Sequence, residues 1–138
     1  MTWNVDLKGL EKRVKNFYVT FSSTLSLLER GDLWDARDFV VSYRELLVTI
    51  ETMMGKRGHI GYPKVREGFS EEKHAHLNDM IPLDLTRTEL IRCMDSIISY
   101  FDTYLKERLK DLCVYPEAYA NNMTAYYEKE REKVLSSG

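Results

Sequence analysis

Apolar residues recur near the start of the chain at Leu7, Leu10, Val14, Phe17, Phe21, Leu25 and Leu28. Steps of three and four place them in one stripe along a helix, so the pattern predicts a first helix from Asp6 to Arg30. Gly31 is the left-handed stop that such a helix needs, and Asp32 follows as the cap of a second. The second stripe is read through Trp34, Phe39, Tyr43, Leu46, Leu47, Ile50, Met53 and Met54, and Gly55 ends it. Two long helices joined at Gly31-Asp32 must lie antiparallel. Periodicity fails from Lys56 to Phe69, where glycines and Pro63 mark a loop. A short helix is expected from Ser70 to Asn78, with Glu71 and Glu72 in its first turn. Thr86 and Glu89 have capping-box spacing, and they open the longest helix. Its inward positions are Leu90, Met94, Ile97, Phe101, then Tyr104 or Leu105, Leu109 and Leu112. Tyr115-Pro116-Glu117 starts a last helix, Pro suiting the first helical position. Glu128 to Lys133, the run EKEREK, reads as a solvated face. With no alternating strand pattern and no hairpin turn signal, the expected fold is all-α, an up-and-down four-helix bundle with an extra short helix. On this reading Phe39→Asp and Ile97→Asp each bury a charge in the core.

At 138 residues the chain has the length of a single domain spanning 1–138. It is 43% hydrophobic and 30% charged, a globular composition. Its 20 Lys and Arg against 22 Asp and Glu leave a net charge of -2, which argues against general nucleic-acid binding. No run of about 18 apolar residues is present, so no membrane span is expected. The opening MTWNVDLKGLEKRV lacks the apolar core of a secretory signal, so a cytoplasmic location is expected.

Cys93 and Cys113 lie twenty positions apart on one predicted helix. That separation, roughly 30 Å, is beyond the reach of a disulfide. His74 and His76 point to different sides of a helix, and no further Cys or carboxylate completes a zinc spacing, so neither metal nor cofactor is expected. Phosphate-loop and nucleophile-elbow motifs are missing from the sequence. Two features remain as candidate chemistry. Asp35, Asp38 and Glu45 form a carboxylate row on the second helix, read first as a polar outer face and otherwise as a row facing a cleft. Lys56, Arg57, Lys64 and Arg66 make the loop after it the one locally basic stretch, read either as a solvated loop or as one that meets phosphate or another acidic surface. The late tyrosines Tyr115, Tyr119, Tyr126 and Tyr127 are expected to pack their rings on the core with wet hydroxyls, the alternative being a stacking site for a base or ring substrate.

The segment from Gly31 to Ile50, GDLWDARDFVVSYRELLVTI, resembles the second helix of the C-terminal helical domain of aminoglycoside-type nucleotidyltransferases, in the bundle superfamily related to HEPN domains. Gly31, Asp32, Leu33, Trp34, Ala36 and Arg44 carry the likeness. Leu109 to Glu130, with its Tyr-Pro, is similar to the closing element of those domains, and the order of elements agrees. The catalytic half of such enzymes carries a Gly-Ser motif and paired aspartates, and neither occurs here. The resemblance therefore implies a non-catalytic substrate-binding domain that shapes an acceptor pocket or docks to a catalytic nucleotidyltransferase domain or subunit. It implies a small cationic acceptor and a homodimer among its partners. It points to Asp35, Asp38, Tyr43, Arg44 and Glu45 as pocket residues, with Lys64 and Arg66 on the basic loop. A stand-alone helical interaction module is the alternative. Arg66 and His74 have seven residues between them, outside the Arg-x(4–6)-His spacing of the related ribonucleases.

Overall fold

A computed structural model describes residues 6–54 and 70–137. Every element among them is helical, with no strand. Helix α1 spans Leu7–Arg30, α2 Leu33–Met54, α3 Glu71–Asp79 and α4 Arg87–Tyr100. A π-helical turn, Phe101–Leu105, joins α4 to α5, Lys106–Leu112, and α6 covers Glu117–Ser137. No described helix is long and apolar enough to cross a membrane.

The helix ends follow local chemistry. Asp6 caps α1 by accepting the Gly9 N–H at 3.0 Å. Gly31 closes α1 at φ 80°, and the Asp32 N–H reaches back to the Leu27 carbonyl at 2.9 Å. Asp32 contributes its backbone carbonyl to α2, while its carboxylate pairs with Arg30 at 3.0 Å. Ser70 and Thr86 cap α3 and α4 as their spacing predicts. Glu89 turns away from a reciprocal box. It accepts the Leu83 N–H at 2.7 Å and holds Arg92.

Contacts at the helix ends give the direction of each helix. The Arg87 Nε, at the start of α4, donates to the Leu28 carbonyl near the end of α1 at 2.7 Å. The Val114 N–H, after α5, donates to Glu11 near the start of α1 at 3.2 Å. Thus α4 and α5 run against α1. Arg108 on α5 meets Glu51 near the end of α2, so α2 and α4 run the same way. Helix α6 begins beside Tyr18 and passes Phe21, so it runs with α1. An up-and-down order would reverse direction at every step. Here the chain must instead return between α2 and α4, and α3 lies on α4 along that return.

The core is centred on Phe17, which is stacked on Phe101 with centroids 4.1 Å apart and meets Tyr18, Phe21 and Tyr43 edge-on. The α1 stripe is inward except at Leu7, which is exposed. On α2 the inward face is centred on Ala36, Val40, Tyr43 and Leu47, so two residues assigned to it face outward. Trp34 is 73% exposed and Phe39 38%. Bulk misled the phase there, since the smaller Ala36 and Val40 are the residues buried. Leu112 is exposed too. From Ile97 to Leu109 one series of buried residues steps by four, through Phe101 and Leu105, with Tyr100 buried beside it. A uniform α-helix would rotate that series off the core. The π turn, with its wider i→i+5 bonding, keeps it inward and leaves Tyr104 half-buried.

The α1–α2 joint depends on Gly31. A Cβ there would lie 3.2 Å from the Arg87 Nη2, on a residue already at positive φ. Gly31→Ala is therefore expected to cost about 1–2 kcal/mol and to lower Tm by several degrees in a thermal melt.

Candidate functional site

The groove between α4 and α6 is built by an ion pair. Asp95 projects from α4, and Tyr127 and Arg131 stand one turn apart on α6. The Tyr127 hydroxyl donates to Asp95 Oδ1 at 2.7 Å. Arg131 grips both carboxylate oxygens, with its Nη2 2.7 Å from Oδ2 and its Nε 3.1 Å from each. Burial, and then the bond to Asp95, push the Tyr127 phenol well above its ordinary range, so it remains a donor. The Asp95 hydrogen bond likewise holds the Arg131 guanidinium charged.

This frame borders an open groove of about 600 Å³. Ile98, Thr124 and the Tyr127 ring give it an apolar and hydroxyl wall, and Glu128 and Glu132 add two further carboxylates. Three carboxylates thus face one guanidinium, which grips Asp95 and lies 3.6 Å from Glu132. Such a surface attracts and orients cations. It holds no nucleophile made more reactive by its surroundings. The thiols elsewhere are not activated either, burial pushing the Cys93 thiol up to about 11. Both cysteines are free. No group of three or more His, Cys, Asp or Glu suited to a metal occurs among the described residues.

The described residues among those predicted as a pocket lie on different sides of α2. Asp35, Asp38 and Glu45 are all exposed, and Asp38 and Glu45 share the outward side of α2 with Trp34 and Val41. Tyr43 points the opposite way. It is 1% exposed, and its hydroxyl donates to the Phe17 carbonyl at 3.1 Å, so it is a core residue. Arg44 lies half-buried at the edge of the face, its Nε buried without a partner among the described residues. Lys64 and Arg66 lie outside the described residues, as does the basic loop.

A second polar cluster occupies the junction of α2, α3 and α5. Glu51 is 6% exposed, with Lys73 2.5 Å from Oε1 and Arg108 2.9 Å from Oε2. The Lys73 ammonium also sits over the Tyr104 ring at 5.1 Å. His76 Nε2 lies 2.9 Å from the Ser96 carbonyl, and its ring meets Tyr100 and Tyr104 edge-on. Glu51 was legible in principle. It falls four after Leu47 and three before Met54, a carboxylate in phase with an apolar stripe.

Two expectations for α6 change. Glu130, inside the EKEREK run, is buried. Lys133 lies 3.2 Å from its carboxylate. The tyrosine hydroxyls are not all wet, for Tyr127 binds Asp95 and Tyr115 binds Tyr18. Comparison of the chain with protein-family models, curated proteins and solved structures returns no match.

Proposed function

We propose that the chain is a non-catalytic helical binding domain that takes a small polycationic ligand in the groove between α4 and α6. The carboxylate excess of that groove carries this reading. Glu128 and Glu132 offer charge to ammonium groups, the Tyr127 ring offers an apolar wall, and Asp95 is held rigid by Arg131. The ligand class matches the cationic acceptor implied by the resemblance to nucleotidyltransferase helical domains. On this reading the fold is a four-helix bundle with α3 as its extra helix, and a separate catalytic domain or subunit supplies the chemistry. Binding is tested by calorimetric titration with kanamycin and, in parallel, spermidine at low salt. Saturable binding of at least one is expected, weakened about tenfold or more in the Glu128→Gln/Glu132→Gln variant, whose Tm should stay near that of the parent because both side chains are exposed. Absence of saturable binding, or binding indifferent to the double variant, rejects the reading.

The stand-alone interaction module is the second reading, favoured by the outward face of α2. Trp34 and Val41 are exposed there between carboxylates that make no ion pair among the described residues. Light scattering decides its homodimer form, since a monomer mass at high protein concentration removes it.

A further inference from the structure

From the way α3 is tied down, we infer that it is a displaceable cover, able to leave the rest of the molecule folded. The ion pairs that α3 makes to Glu51 and Arg92 end on groups that have a second partner elsewhere. Lys73 holds Glu51, which Arg108 also holds from α5. Asp79 holds Arg92, through its backbone carbonyl at 2.9 Å and its side chain at 3.0 Å, and Arg92 also pairs with Glu89 at 2.7 Å. His76 meets the Ser96 carbonyl, which lies inside α4 and keeps its helical bond to the Tyr100 N–H. Lifting α3 therefore strands no charge on the body of the protein.

What lies beneath it favours release. The Tyr100 side chain is fully buried, and its hydroxyl has no hydrogen-bond partner among the described residues. One turn earlier on the same face, the Ser96 hydroxyl is buried and also lacks one. A buried unpaired hydroxyl is costly, and water reaching it removes that cost. The apolar hold on the other side is small. Within α3 only Leu77 is buried, followed by Met80 just after it. Among the described residues the closed state thus carries two unpaired hydroxyls that the open state hydrates, and opening sets Ser96, Tyr100 and Tyr104 in solvent beside the Glu51–Arg108 pair.

Hydrogen exchange read by mass spectrometry on the full chain tests this. Amides of 71–79 are expected to exchange at least about a hundredfold faster than those in the middle of α1, through an opening separate from global unfolding. Two variants should move α3 in opposite directions. Tyr100→Phe removes an unpaired hydroxyl from the closed state and should slow α3 exchange about tenfold. Lys73→Met removes one tie and should speed it about tenfold while leaving α1 unchanged, because Arg108 still holds Glu51. Exchange of α3 and α1 in one common event overturns the inference. So does a Tyr100→Phe variant whose α3 exchanges at the parent rate or faster, or a Lys73→Met variant that loosens α1 as much as α3.

Discussion

Ile97→Asp is expected to abolish cooperative unfolding. Ile97 is 0% exposed on α4, and a carboxylate there has no cation within its apolar surroundings. An unpaired buried charge costs more than roughly 3 kcal/mol, a large share of the stability of any domain this size. Circular dichroism should show a shallow melt or none. Phe39→Asp makes the contrast. Phe39 lies partly in solvent on the flank of α2, so an aspartate there reaches water, and the loss should stay within about 1 kcal/mol. A cooperative melt for Ile97→Asp near the parent Tm, or collapse of Phe39→Asp, would place the inward faces of α4 and α2 elsewhere.

The second large effect is expected at Phe17. Its ring is stacked on Phe101 and edge-on to Tyr18, Phe21 and Tyr43, which joins α1 to α2 and to the π turn. Phe17→Ala should cost about 3–5 kcal/mol, because neighbours drawn from three segments cannot all close on the space left behind. Tm should fall by roughly 10 °C or more. Phe17→Leu keeps most of the volume and should lose less than about 1.5 kcal/mol. The Phe17 carbonyl keeps its bond from Tyr43 in both variants, so the difference between them isolates ring packing. Equal melting of the two would show that the cluster relaxes freely.

Apart from Leu7, the stripe of α1 could be read from spacing because most of its inward residues are large and apolar. On α2 the same rule failed at Trp34 and Phe39, since it weighs residues by bulk, whereas the face that is buried carries the smaller Ala36 and Val40. The inward phase past Ile97 was ambiguous between Tyr104 and Leu105 for a different reason. A π turn leaves no mark in hydrophobic spacing until its extra residue is seen to bring Leu105 and Leu109 back to the core. The carboxylate row was legible as a row. That Asp38 and Glu45 lie across the helix from Tyr43 follows only once the inward face is known.

Local forces act between residues a few positions apart, and they are written directly in the order of side chains. Capping by Asp6, Ser70 and Thr86, the left-handed stop at Gly31 and the helical nature of each segment follow from them. The pairing of Asp95 with Arg131, of Glu51 with Lys73 and Arg108, and the common direction of α2 and α4 join positions from 22 to 57 residues apart. Those depend on how the helices stack and on which charges lose water when they do, and no short stretch of chain encodes that.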